Sequence, residues 1–82
     1  PCSSTKGATG HTLGAAGALE AVIGAIALRH ELIPGGVNTT CVDPALHLDY
    51  VTCTQARPLA CVLSNSFGFG GTNCSLVLGK LV

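Results

Sequence analysis

Three glycines, Gly14, Gly17 and Gly24, fall inside a stretch that otherwise has the makings of one long apolar helix. Leu19, Val22, Ile23 and Ile26 recur at helical spacing, while Gly14, Gly17, Ala18, Ala21, Gly24 and Ala25 fill much of the remaining circumference. Each glycine disfavours a helix by about 1 kcal/mol relative to alanine. A helix that carries three of them is suited to close backbone approach by a neighbour. The spacing predicts a helix from about Thr12 to about Leu32, capped by Thr9 or Thr12 and ended by Pro34-Gly35-Gly36. With so few polar side chains it reads as buried nearly all round.

That demand for cover is hard to meet within 82 residues. A domain of this size hides only roughly 60% of its unfolded surface. Hydrophobic residues make up 48% and charged residues 10%, which excludes disorder and points to a surface facing further protein. There is no methionine, so the sequence reads as a piece of a longer chain. The formal net charge is zero, with no basic footprint for nucleic acid and no acidic tail. No signal peptide is visible. The longest apolar run, Leu13 to Leu28, is interrupted by Glu20 and reads as too short and too charged to span a membrane. The five cysteines, at positions 2, 41, 53, 61 and 74, form no C-x-x-C pair and no zinc spacing with a histidine. They read as reduced, mostly buried thiols of a cytoplasmic protein, with a disulfide framework as the runner-up.

Around the helix, residues 1–5 read as the tail of a strand and residues 6–11 as a polar, glycine-rich loop. Residues 35–58 read as irregular, with short extended pieces near Val37 and Tyr50 and a turn at Asp43-Pro44. Leu59 to Ser64 and Cys74 to Leu78 read as strands, apolar on both faces and so covered on two sides. Between them lies NSFGFGGTN, residues 65–73.

Chemistry concentrates in two places. Gly10, Gly14 and Gly17 have the wrong spacing for a dinucleotide fingerprint, and Lys6 precedes the glycines where a P-loop lysine follows them. A nucleotide site is therefore set aside. A histidine at a helix start meets free backbone N–H groups, one of which can bind one ring nitrogen and leave the other as an N–H donor. That is a neutral electrophile, suited to charge developing on a carbonyl oxygen. His11 stands where this is possible, and a plain capping or packing role is equally compatible with the motif. Glu20 is the only charge inside the apolar helix and must reach either solvent or a cation, for which Lys6 is the nearest candidate. In SFGFGGT, the glycines would let a backbone N–H serve as half of an oxyanion hole. Phe67 reads as a core ring at a tight turn, whereas Phe69 could equally be core or lid.

Taken together, SSTKGATGHTLGAAGALEA followed by NSFGFGGTNCSLVL resembles the C-terminal end of β-ketoacyl–acyl carrier protein synthases, the condensing enzymes of the thiolase fold. The resemblance covers essentially the whole chain, with weaker landmarks at Pro34, Asn38, Asp49 and Arg57. It implies an α/β fold class, the C-terminal piece of a layered α-β-α-β-α architecture, with one long buried helix and two core strands. It implies that His11 is the second of two active-site histidines, that Lys6 belongs to the catalytic network, and that Glu20 holds Lys6. It makes Phe69 the gate and its N–H one arm of the oxyanion hole, with Gly68, Gly70 and Gly71 letting that substrate-binding loop move. The implied reaction is a decarboxylative Claisen condensation. It needs no resident cofactor or metal, because phosphopantetheine arrives on the acyl carrier protein. The implied partners are the rest of the synthase chain, the carrier protein, and a second subunit in a homodimer or a ketosynthase heterodimer. The family's nucleophilic cysteine and first histidine have no match here. PCSST imitates the nucleophile motif, but Cys2 falls in the strand that leads to Lys6. Thiolases are set aside because Phe67 and Gly68 stand where they carry a cysteine. A non-catalytic chain-length-factor-like subunit is the alternative, weakened by the retention of Lys6, His11, Glu20 and the GFGG loop. An autonomous binding domain is weakened by the low charge.

Overall fold

The computed structural model describes residues 1–81. Its order is α1 (Lys6–Thr9), a 3-10 turn (Leu13–Ala15), α2 (Ala16–His30), β1 (Leu32–Ile33), a second 3-10 turn (Pro44–Leu46), β2 (Gln55–Ala56), β3 (Cys61–Phe67) and β4 (Asn73–Gly79). The class is mixed α/β, with one long helix and two small antiparallel sheets, consistent with the C-terminal part of a thiolase-like domain. β1 pairs with β2, and β3 pairs with β4 in a register running from Cys61 opposite Gly79 to Phe67 opposite Asn73.

The helix starts later than its periodicity predicts, because the chain first makes a 3-10 turn. It ends where Glu31 turns left-handed (φ 52°) and donates its N–H back to Ala27 and Leu28. Arg29 and His30 occupy its last turn, where the helix dipole favours positive charge. Neither Thr9 nor Thr12 supplies a side-chain cap, and the Thr9 hydroxyl donates instead to the Thr5 and Gly10 carbonyls. The loop predicted over residues 6–11 contains α1, a single turn begun by Thr5 accepting the N–H groups of Ala8 and Thr9. Gly10 ends that turn at φ 72°, a conformation that favours glycine. Residues 1–5 contribute only one parallel bridge, Cys2 to Tyr50.

α2 lies across the β3–β4 hairpin, chiefly on β3. A Cβ at Gly24 would stand 3.3 Å from Val62 and 3.5 Å from Leu78, and one at Gly17 would stand 3.3 Å from the Ser66 hydroxyl. These two glycines therefore allow the close approach that the sequence implies. Gly14 has nothing within 4 Å. Leu13–His30 is apolar and long enough, by length and composition alone, to cross a membrane, contrary to the reading of that run as too short. Here it packs on a hairpin and carries an ion-paired Glu20 in its middle.

Burial departs from expectation in one consistent way. Only Gly24, Ala27 and Leu28 of α2 are buried, and Val22 and Ile26 are more than half exposed. β3 is covered on one face alone, and on β4 only Leu78 is partly covered. Residues 62, 64 and 66 face the helix, and the alternate set, including Leu63, Phe67 and Val77, is open. Phe67 is thus on the outer face of the hairpin, not in a core. All five cysteines are free and exposed, where buried thiols were expected. One physical cause accounts for all of these: a helix and a two-stranded hairpin have only one mutual face, and a layered architecture needs further layers to cover the others.

Candidate active site

His11 lies between α1 and the 3-10 turn that feeds α2, one residue before Thr12, which takes that turn's cap position. The Leu13 N–H donates to its Nδ1 at 3.0 Å. A backbone N–H can only donate, so Nδ1 presents its lone pair and the ring proton sits on Nε2. Leu13 itself has φ 55° and is the second residue of the turn that the Ala15 N–H closes onto the Thr12 carbonyl at 3.1 Å.

The Phe69 ring lies against the same imidazole, with ring centroids 6.5 Å apart and planes 23° from parallel. The two motifs, far apart in sequence, thus meet in space. The turn between β3 and β4 brings this about. The Gly68 N–H donates to the Thr72 carbonyl at 2.7 Å and the Gly71 N–H to the Gly68 carbonyl at 3.0 Å. Gly71 is left-handed, at φ 91°. Among the described residues the Phe69 N–H makes no backbone hydrogen bond within this turn, and its side chain is almost fully exposed.

Lys6, the first residue of α1, donates from Nζ to Glu20 Oε1 on α2. The pair is partly buried, with Glu20 the less exposed partner. Of the two fates that composition left open for Glu20, the structure has the cation. Among the described residues no group of acidic, histidine and cysteine side chains is arranged to hold a metal ion.

An open cavity of about 610 Å³ lies between the N-terminal segment, α2 and β3, lined by Lys6, Glu20, Gly24 and Ser64 among others. His11 and Phe69 do not line it. They meet on open surface. Sequence reasoning anticipated a backbone donor for His11 but did not single out Leu13. Every residue but proline carries the same backbone N–H.

The sequence of residues 1–40 matches the family described as beta-ketoacyl synthase, C-terminal domain. The chain is 50% identical over 80 residues to 3-oxoacyl-[acyl-carrier-protein] synthase 1 of Escherichia coli (strain K12), covering 96% of this chain and 20% of the relative. It is 51% identical over 81 residues to 3-oxoacyl-[acyl-carrier-protein] synthase 2 of Coxiella burnetii, covering 96% of this chain and 19% of the relative. Over nearly its whole length the chain is similar to one segment of the β-ketoacyl synthases. The mitochondrial 3-oxoacyl-[acyl-carrier-protein] synthase of Arabidopsis thaliana is 44% identical over 81 residues, again 96% of this chain and 18% of that relative. The chain thus spans about a fifth of the length of the β-ketoacyl synthases it matches.

Proposed function

We propose that the protein carrying this segment is an acyltransferase that condenses an acyl thioester with a malonyl thioester on an acyl carrier protein, in fatty acid or related polyketide synthesis in the cytoplasm. The acyl group is first transferred to a cysteine thiolate outside these residues, and the carrier thiol departs. The malonyl carboxylate then leaves as CO2, and the electron pair of the broken C–C bond passes into an enolate. That carbon attacks the acyl-enzyme carbonyl, a new C–C bond forms, and the cysteine thiolate is released.

His11 donates from Nε2–H to the thioester oxygen on which enolate charge appears. A donor already oriented acts where the charge develops, at no reorganisation cost in the transition state. The Phe69 N–H serves the acyl-enzyme oxygen, and Gly68, Gly70 and Gly71 give that loop its freedom. Lys6 and Glu20 hold the loop ahead of His11. Phosphopantetheine comes with the carrier protein and is no resident cofactor, and the working unit is a dimer.

The observation that carries this reading is the Leu13 N–H bond to Nδ1, which commits the imidazole to the donor tautomer. In the full-length synthase, His11→Ala is expected to lower condensation by about 10²–10³-fold, the usual cost of losing one oxyanion donor. The measure is CO2 release and product formation from malonyl- and acyl-loaded carrier protein. A His11→Ala enzyme with parental turnover would refute the assignment.

A further inference from the structure

The β3–β4 hairpin carries the turn that holds Phe69, so the register of its strands decides where the Phe69 N–H points. Register is strongly specified where one face of a strand pair is apolar and covered, and weakly where it is not. Only the end of the hairpin far from the turn meets that condition. There Val62 stands opposite Leu78, and both lie against Gly24 of α2. Nearer the turn the helix-facing positions are Ser64 opposite Leu76 and Ser66 opposite Cys74. The serines are small and polar, and Leu76 and Cys74 are exposed. Burial therefore does little to hold the last steps of the ladder in register.

On the other face Asn65 stands directly opposite Ser75, and the Ser75 hydroxyl donates to Asn65 Oδ1 at 2.6 Å. Among the described residues this is the one side-chain hydrogen bond between the two strands. The ladder favours it at this step. The Gly68 N–H bond to the Thr72 carbonyl makes those two a hydrogen-bonded pair. Alternation along the strands then makes Asn65 and Ser75 a non-hydrogen-bonded pair, whose side chains come closest. Leu63, Phe67 and Val77 share this face, and a layered domain covers such a face. A polar pair enclosed there must satisfy itself across the strands. A slip of one residue would set Asn65 opposite Cys74 or Leu76 and lose the bond.

We propose that Asn65 and Ser75 are positioning residues for Phe69: their hydrogen bond locks the hairpin in register and so fixes where the glycine-rich turn presents the Phe69 N–H. This rests on that N–H serving the acyl-enzyme oxygen in the reaction above. Directly opposed residues of an antiparallel pair have equivalent backbone surroundings, so the two residues should be interchangeable.

The test places four variants in the full-length synthase: Asn65→Ala, Ser75→Ala, Ser75→Thr, and the swap that combines Asn65→Ser with Ser75→Asn. Hydrogen exchange of the peptide spanning residues 66–74, followed by mass spectrometry, is read beside kcat and KM. Each alanine variant is expected to speed exchange in that peptide by about 3–10-fold, the loss of one net hydrogen bond, while α2 exchanges as in the parent. A fall in kcat of about 3–10-fold with KM little changed accompanies it, because a turn out of register misplaces a reacting group. The swap and Ser75→Thr are expected to be close to the parent in both readouts. Parental exchange and turnover in the alanine variants overturn the proposal, as does a folded swap variant as impaired as they are. Faster exchange spread equally over α2 would make the pair a general stabiliser and also overturns it. Should the swap not fold, Ser75→Thr decides: parental behaviour supports the lock, and impairment equal to that of Ser75→Ala overturns it. Exchange is read without turnover. An active His11→Ala enzyme would therefore remove the proposed reaction, while the exchange pattern would still decide whether the pair locks the turn.

Discussion

Breaking the Lys6–Glu20 pair tests whether α1 is held in place by that contact. α1 is one turn of four residues, too short to persist on its own propensity, and His11 follows two residues after its end. The perturbations are Lys6→Met, Glu20→Gln and the double variant. The side chains are 39% and 20% exposed, so the pair is neither a surface bridge nor a sealed one. Exposed pairs contribute about 0.2–1 kcal/mol, whereas removing one partner of a buried pair costs about 3–5 kcal/mol. An intermediate coupling of about 1–2 kcal/mol follows, equivalent to about 5–30-fold in kcat/KM when the double-mutant cycle is closed on condensation activity. Lys6→Met should be the more damaging single change, because it strands the less exposed charge. Partial exposure also means that raising the salt concentration should shrink the coupling. Strict additivity of the two single effects, at low and high salt alike, would refute the idea that this contact supports the loop.

Two further outcomes follow from other contacts. Gly35→Ala would put a Cβ 2.6 Å from the Thr54 nitrogen and 2.7 Å from the Cys53 carbonyl carbon, both backbone atoms that cannot swing aside. Relieving that clash disturbs the bonds from Gly36 N–H to the Val51 carbonyl (2.9 Å) and from Gly35 N–H to Thr54 Oγ1 (3.1 Å). A loss of about 3 kcal/mol is expected in denaturant titrations, against little change for Gly14→Ala, where nothing lies within 4 Å. At the other end of the molecule, the hydrogen bond from Lys80 and then its charge hold the Glu31 carboxyl below its ordinary range. A carboxylate with a lowered folded-state pKa contributes stability above its unfolded pKa and loses it as pH falls through the folded value. Glu31→Gln should therefore flatten the acid limb of a stability-versus-pH curve by lowering stability at neutral pH, where the paired carboxylate contributes, and by leaving it unchanged at the acid end.

Local pattern carried much of this structure, and the failures share a cause. The helix was legible from Leu19, Val22, Ile23 and Ile26, and its approach to the hairpin from Gly17 and Gly24, because spacing and side-chain size are local properties. β3 and β4 were legible to within three residues at their ends. The covered strands, buried thiols and core Phe67 inferred from apolar composition were not observed. Composition reports what a residue requires over the whole protein, whereas exposure depends on which neighbours are present. The candidate site divides the same way. The residue types at Lys6, His11, Glu20 and Phe69 were visible, and so was the need for a backbone donor to the ring. That Leu13 would supply it was not, since every residue but proline carries the same backbone N–H.

The five uncovered sulfhydryls have a practical consequence. They are dispersed at Cys2 beside the Tyr50 bridge, at Cys41 and Cys53 along the irregular middle, and at Cys61 and Cys74 on opposite strands of the hairpin. Without any engineering the segment therefore carries its own set of footprinting probes. Alkylation rates at each thiol, followed by mass spectrometry with and without an added binding partner, would trace which surfaces become shielded and in what order.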